Sequence, residues 1–120
     1  MKGILLFGHG ARNPDWARPF ERIEAAIRQR APQTPVHCGF LELMRPTFDE
    51  AVDALVAAGV CQISVVPIFM AAGSHIKKDL PQMAASAMDR HPAIEITLAP
   101  PVGESDAVLG TMADYALGVA

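Results

Sequence analysis

The chain has 120 residues, of which 51% are hydrophobic and 19% charged, and its formal net charge is −3. This length fits a single domain over residues 1–120 and is too short for two independent cores. The acidic balance excludes the broad basic surface needed to bind nucleic acid or an anionic membrane. No apolar run has the length of a membrane span, and the first run is too short for a secretory signal. We therefore expect a cytoplasmic protein.

Four short apolar runs, each bounded by glycine or proline, are typical of buried β-strands. They cover residues 4–7, 36–43, 63–69 and 94–98. The segments that follow them repeat apolar residues at helical spacing, the last one at Val108, Met112, Tyr115 and Val119. We expect each helix to lay an apolar stripe on the sheet. The alternation predicts a three-layer α/β domain, in which helices flank a four-stranded parallel sheet on both faces.

The order of the strands determines where a ligand would bind. Right-handed crossovers favour the order 2-1-3-4. In that order the direction of winding reverses between strands 1 and 3, and open α/β sheets bind ligands beyond the carboxyl ends of the strands at this switch point. The candidate loops are therefore residues 8–13 and 69–75.

Residues that favour helix N-termini precede the helical segments. These are Asn13 before Pro14, Thr47 with Glu50 at capping-box spacing, Ser74 and Ser105.

Sulfur-containing residues do not form a metal or redox motif. Cys38 and Cys61 lie in apolar runs, and we predict that both are reduced core residues, as in a reducing compartment. Three methionines, Met83, Met88 and Met112, are predicted to pack helices rather than to bind a soft metal.

Both candidate loops contain a histidine flanked by small residues. His9 lies in GHGAR at residues 8–12, and His75 lies in AAGSH at residues 71–75. The small neighbours would let a flat ligand approach the imidazoles, which makes Gly10, Gly73 and Ser74 candidate binding residues. Glycine at a strand-to-helix turn also has a purely conformational explanation.

A carboxylate and several cations are predicted near the same edge. Glu42 lies near the end of strand 2, where it either joins the imidazoles or simply faces solvent. A set of histidines and a carboxylate suits a first-row divalent metal with open coordination positions. The basic residues that could hold carboxylates or phosphates of a ligand are Arg12, Arg45, Lys77 and Lys78.

The sequences GHGAR, FLEL followed by RPTFDEAVDAL, and VVPIFMAAGSHIKKDLP resemble the short, single-domain CbiX-type sirohydrochlorin chelatases. The resemblance implies insertion of cobalt or iron into sirohydrochlorin, a tetrapyrrole rich in carboxylates, during cobalamin or sirohaem biosynthesis. It implies that His9 and His75 bind the metal and act in catalysis. It also implies that this chelatase-like domain is half of a bilobal chelatase and pairs as a homodimer around the macrocycle.

A mechanism follows from this resemblance as a hypothesis. His9 and His75 would bind the metal or take the pyrrole protons, Glu42 would accept protons or complete the metal site, and Arg12 with Lys77 would hold the substrate carboxylates. The metal, with cobalt, iron and nickel as candidates, is a substrate, and we expect no organic cofactor.

Two positions depart from the family pattern. Ala11 stands where the family usually has serine, and Ser74 where glycine is commoner.

Two other functions remain open. One alternative is a metal- or tetrapyrrole-binding protein without turnover. The other is a phosphohistidine-type phosphotransfer enzyme, although the arginine that this chemistry needs before the histidine is replaced by Gly8.

Overall fold

Strands and helices alternate along the whole chain, and the computed structural model describes all residues from Met1 to Ala120. The strands are β1 (Lys2–Gly8), β2 (Val36–Phe40), β3 (Gln62–Pro67) and β4 (Glu95–Leu98). The α-helices are α1 (Arg18–Arg30), α2 (Phe48–Ala57), α3 (Ser74–Arg90) and α4 (Asp106–Val119), and two short 3₁₀ helices cover Pro14–Ala17 and Val102–Glu104. All the predicted elements are present, but β2 ends before Glu42, which therefore lies in the following loop.

The strands form one parallel sheet in the order β2-β1-β3-β4, which confirms the predicted order. In the central strand, Leu5 is paired with His37 on one side and with Val65 on the other. The winding reverses between β1 and β3, so the carboxyl ends of these two strands form the switch point.

The sheet divides the core into two unequal parts. The larger part, a cluster of 15 buried residues that includes Phe7 and Phe48, lies between the sheet and helices α2 and α3. The smaller part lies under α1 and consists of Leu6, Phe20, Val36, Cys38 and Phe40. The α2 and α3 side therefore supplies most of the apolar burial that stabilises the fold.

Local sequence signals account for three of the six helix starts, counting the two 3₁₀ helices. Three predicted N-caps are confirmed by side-chain hydrogen bonds: Asn13, Thr47 in a complete capping box with Glu50, and Ser105. The prediction for Ser74 is wrong, because Gly73 occupies the cap position of α3 and no side chain caps this helix.

The two cysteines have different environments. Cys38 is buried as predicted, and burial together with the nearby Glu24 carboxylate raises the pKa of its thiol to about 12. Cys61 is exposed, so the prediction that it belongs to the core is wrong. It precedes β3, where no helix covers it.

Helix α4 differs most from the prediction, because none of its residues is buried. Its large apolar side chains, including Met112 at 44% and Tyr115 at 69% exposure, face solvent. The chain is consequently 50 Å long, and its radius of gyration of 14.7 Å exceeds the roughly 13.6 Å typical of a 120-residue domain. The predictions that α4 covers the sheet and that Met112 packs between helices are wrong. No helix here is both long and apolar enough to cross a membrane.

The part of the sheet that no helix covers, on the α1 side of β3 and β4, is polar. On the α1 side, β3 and β4 present Gln62, Ser64, Glu95 and Thr97, all of them exposed. Such alternation of apolar and polar residues is typical of strands with one solvated face. An apolar helix laid there would remove the Glu95 carboxylate from water without giving it a partner, which is costly. The apolar side of α4 thus has no apolar counterpart on its own sheet.

Candidate functional site

The two candidate loops leave adjacent strands at the carboxyl edge of the sheet. Pairing continues just beyond β3, where the Ile68 N–H donates to the Phe7 carbonyl at 2.8 Å. His9 directly follows β1, and His75 is the second residue of α3. Both histidines are exposed. Their predicted location at the switch point is confirmed, while their chemical roles remain predictions.

The imidazole of His9 packs against the aromatic ring of Phe69. The ring centroids are 5.7 Å apart, with an interplanar angle of 59°. Phe69 in turn meets Phe7 edge-on at 5.9 Å, and Phe7 meets Phe48 edge-on at 5.8 Å. A row of aromatic rings therefore connects His9 to the buried core and restricts the imidazole on one side, while its other side remains open to solvent.

Gly10 lets the loop after β2 approach the His9 loop closely. Its φ of +93° is rarely adopted by other residues, and a Cβ atom there would lie 1.8 Å from the Glu42 carbonyl oxygen. The Glu42 N–H donates to the His9 carbonyl at 3.2 Å, and the Leu41 N–H donates to the Gly8 carbonyl at 2.9 Å. These bonds extend the pairing of β1 with β2 and hold the Glu42 backbone beside His9.

Gly8 and Gly73 have other surroundings. A Cβ atom on Gly8 would lie 2.5 Å from the ring of Phe20, so this glycine makes room for the core under α1. Gly73 has no atom within 4 Å of its Cβ position and leaves open space beside His75. A conformational requirement therefore accounts for Gly10 and close packing against Phe20 for Gly8, whereas Gly73 borders open space.

Three of the four predicted cations are free of acidic partners. Arg12, Lys77 and Lys78 are exposed and take part in none of the six salt bridges in the chain. The guanidinium of Arg45 instead pairs with Glu50, its Nε atom lying 3.1 Å from both carboxylate oxygens. The hydrogen bond from Arg45 lowers the pKa of Glu50 to about 2. Arg45 is thus already engaged within the chain.

The histidines lie on an open surface rather than in an enclosed pocket. A cavity of about 470 Å³ between α2 and α3 is lined by Thr47, Asp49 and Asp79, but by neither histidine. A smaller apolar cavity of about 130 Å³ lies behind Phe69 and reaches Lys77. A flat ligand bound to one chain would therefore have one face uncovered.

Exposed apolar residues around this surface were missed by the sequence analysis. Trp16, Leu43 and Met70 are 37%, 55% and 57% exposed, and each lies in a segment that follows one of the strands β1, β2 and β3. Leu43 has a φ of +68°, which is uncommon for a residue other than glycine. The sequence signal that could have identified these residues is a large apolar residue in each of the segments that follow β1, β2 and β3.

No group of three or more His, Cys, Asp and Glu side chains in the chain is arranged to hold a metal ion. His9 and His75 come from separate segments, and the Glu42 carboxylate forms no salt bridge. Two imidazoles without further protein ligands would leave coordination positions free for water or for donor atoms of a substrate.

Comparison with known proteins identifies the family. A family model described as CbiX matches residues 3–116. The chain belongs to the CbiX family. One relative, the sirohydrochlorin cobaltochelatase of Methanopyrus kandleri, is 40% identical over 83 residues, which are 69% of this chain and 58% of that protein. The sirohydrochlorin cobaltochelatase of Saccharolobus solfataricus is 34% identical over 109 residues, covering 86% of this chain and 84% of that protein.

Solved structures agree with this membership of the CbiX family. The CbiX protein of Marinobacter aquaeolei VT8 superposes with a TM-score of 0.83 at 28% identity, over 98% of this chain and 96% of that one. The sirohydrochlorin chelatase SirB of Bacillus subtilis subspecies spizizenii, in complex with cobalt, gives a TM-score of 0.77 at 30% identity, over 94% of this chain but 50% of that one. The chain also spans 56–62% of the first curated relatives.

Proposed function

We propose that the chain inserts a divalent metal, cobalt or iron, into sirohydrochlorin. The observation that carries the proposal is the position of the two histidines beyond adjacent strands at the switch point of the sheet: His9 directly follows β1, and His75 lies in the first turn of α3, after β3. The names of the CbiX relatives describe this reaction. The related SirB protein was solved with cobalt and with Fe³⁺.

The reaction exchanges two pyrrole protons for one metal ion, so the site needs both metal ligands and proton acceptors. Imidazole serves either purpose in its neutral form. In our proposal His9 and His75 bind the incoming metal, whose remaining positions are left for water and for the pyrrole nitrogens. Glu42, whose backbone is hydrogen-bonded to His9, accepts one pyrrole proton rather than serving as a third ligand, and an imidazole released as the metal moves to the pyrrole nitrogens accepts the other.

The surrounding residues suit the substrate, which combines a flat macrocycle with many carboxylates. Arg12 and Lys77, both without acidic partners, would pair with those carboxylates. Arg45 would have to leave Glu50 to do the same. The macrocycle would lie over Gly10, Gly73 and Ser74, with its apolar surface against the exposed side chains of Trp16, Leu43 and Met70.

A second copy of the chain would cover the other face of the macrocycle. The proposal of a homodimer is supported by the open surface around the histidines. It is also supported by the SirB structures, of whose chains this chain covers 43% and 50%. A reducing cytoplasm as the location is supported by two cysteines that form no disulfide.

The test is an anaerobic insertion assay with sirohydrochlorin and Co²⁺, Fe²⁺ or Ni²⁺, followed by absorbance and without any organic cofactor. His9→Ala and His75→Ala should each slow insertion by about 100-fold or more, as loss of a group that binds metal or transfers protons does. His37→Ala is the matched control, because His37 lies within β2. Wild-type rates in either of the first two variants would contradict the proposal.

The same assay separates the alternatives. Tight metal binding by the wild-type chain with no acceleration of insertion would establish a binding protein instead. Release of phosphate from generic phosphoesters that is lost in His9→Ala would show that the chain is a phosphohistidine-type phosphotransfer enzyme.

A further inference from the structure

The connection between β4 and α4 passes directly beside the loop that follows β3. Gly103, the middle residue of the second 3₁₀ helix, donates its N–H to the Phe69 carbonyl at 3.1 Å. Phe69 is the residue whose ring packs on the His9 imidazole, with centroids 5.7 Å apart. A glycine outside both candidate loops is therefore hydrogen-bonded to the residue that touches a candidate metal ligand.

The contact at Gly103 leaves no room for a side chain. A Cβ atom there would lie 1.7 Å from the Met70 carbonyl oxygen. Gly103 does not have a positive φ, so its backbone conformation alone would accept another residue. Glycine is therefore required at this position by the close approach of two chain segments and not by the turn.

The loop after β3 is held from two sides at this point. On the side of β1, the Ile68 N–H donates to the Phe7 carbonyl at 2.8 Å, and on the other side the Gly103 N–H reaches the next residue, Phe69. Phe69 is only half-buried, and it borders the apolar cavity of about 130 Å³ that Pro101 also lines. Because side chains beside open space lack packing partners there, the bond from Gly103 is needed to hold Phe69 in place.

We propose that Gly103 is a positioning residue for His9 that acts through Phe69. Its close approach keeps Phe69 where the aromatic ring orients the imidazole. A larger residue would either displace Met70 or move the connection away and break its bond to Phe69, and both outcomes remove the same support. The inference rests on the proposed function in one respect, because the orientation of His9 affects turnover only if His9 takes part in metal insertion.

The first test is NMR spectroscopy of the His9 imidazole, whose resonances respond to the adjacent aromatic ring and do not depend on insertion activity. Gly103→Ala should move the resonances of the His9 ring protons in the same direction as Phe69→Leu does. Gly110→Ala is the matched control, because it adds the same methyl group within α4, where no atom lies within 4 Å. It should leave the His9 resonances unchanged, and circular dichroism should show that all variants keep the fold.

The second test is a double-mutant cycle in the insertion assay. Gly103→Ala should lower kcat roughly tenfold with a smaller change in the KM for the metal, because small displacements of a reacting group have effects of this order. In the Phe69→Leu background, the same substitution should lower kcat by less than about twofold, since the ring through which it acts is already absent. A merely structural role would lower kcat by the same factor in both backgrounds.

A milder variant keeps the inference testable if Gly103→Ala does not fold. Pro101→Gly adds no atom beside Met70 and loosens the connection, because glycine has more conformational freedom than proline. It should move the His9 resonances in the same direction to a smaller extent.

Two results would overturn the inference. One is unchanged His9 resonances in the variants at positions 101 and 103 that fold, and the other is an equal loss of kcat from Gly103→Ala in both backgrounds. If the wild-type chain inserts no metal, the proposed function fails. The expected changes in the His9 resonances would still support the orientation of His9 by Gly103, so the two failures are distinguishable.

Discussion

The imidazole of His9 lies against the ring of Phe69, with centroids 5.7 Å apart, and Phe69 meets the buried Phe7 edge-on. One candidate ligand is thereby oriented by an aromatic contact that leads directly into the core. The atoms nearest to the Cβ positions of Gly8 and Gly10 belong to Phe20, Phe40 and Glu42 and not to Phe69, so the contribution of Phe69 can be tested separately from the backbone of the GHG turn.

Replacement of Phe69 by leucine keeps apolar volume but removes the ring. We expect a roughly ten- to hundredfold lower kcat for metal insertion with a smaller change in KM, because small displacements of a reacting group have effects of this order. Steady-state assays at varied metal concentration measure both constants. Phe69→Tyr retains the ring and should restore most of the rate. Equal kcat in Phe69→Leu and wild type would show that the contact does not position His9.

Gly10→Ala places a methyl group where the Glu42 carbonyl oxygen lies, at a φ of +93°. We expect the free energy of unfolding to fall by more than about 1 kcal/mol, since alanine is strained at positive φ and must also displace the neighbouring loop. Urea titration followed by circular dichroism measures this change. Gly73→Ala is the control, because its Cβ meets open space, and it should change stability by less than about 0.5 kcal/mol. Similar losses in both variants would show that the close contact with Glu42 is not the cause.

Sequence patterns predicted the parts of the fold that depend on short-range periodicity and chain handedness. The strand order needed only four apolar runs and right-handed crossovers. The contact between Gly10 and Glu42 was out of reach, because it depends on the path of the loop after β2. Helical spacing showed that α4 is a helix but not what covers it. Alternating polar residues in β3 and β4, such as Ser64 and Thr97, were the overlooked sign of a solvated sheet face.

The two thiols should react at different rates with a thiol reagent. Cys61 is exposed, whereas Cys38 is buried and has a pKa raised to about 12, so little of its reactive thiolate exists in the folded chain. At pH 8 we expect one fast equivalent of label, followed by a second only on unfolding. Mass spectrometry of the labelled peptides identifies the residue. Rapid labelling of Cys38 in the folded chain would contradict the described burial.

An acidic residue joins α2 to the end of α3. Asp53 accepts hydrogen bonds from His91 at 2.8 Å and from Arg90 at 2.9 Å. These contacts, that of His91 foremost, lower the pKa of Asp53. The folded state therefore favours the ionised carboxylate. Its contribution to the free energy of unfolding is present above pH 3.8, the ordinary pKa of the group, and is lost as the pH falls through the lowered pKa.

Asp53→Asn should consequently lower the free energy of unfolding at pH 7 by only about 1 kcal/mol or less, because the carboxylate is so exposed. Below pH 4 its unfolding temperature should approach that of wild type, because wild type loses the ionised carboxylate there. Thermal unfolding between pH 2 and pH 7 follows this convergence. Asp89→Asn removes an exposed carboxylate that forms no salt bridge, and it should parallel wild type. A difference in unfolding temperature between Asp53→Asn and wild type that stays constant at all pH values would show that the ionised Asp53 carboxylate does not stabilise the fold.

The two glycines beside His9 are each pressed against another part of the chain, Gly8 against Phe20 and Gly10 against the Glu42 carbonyl. The main chain at His9 is therefore held from both sides, and only the torsions of the side chain itself remain adjustable. If His9 binds a metal ion as proposed, capture of that ion requires little loss of backbone entropy, because this ordering has already taken place during folding. In this sense the glycines, which are the most flexible residues in an unfolded chain, make the histidine between them preorganised.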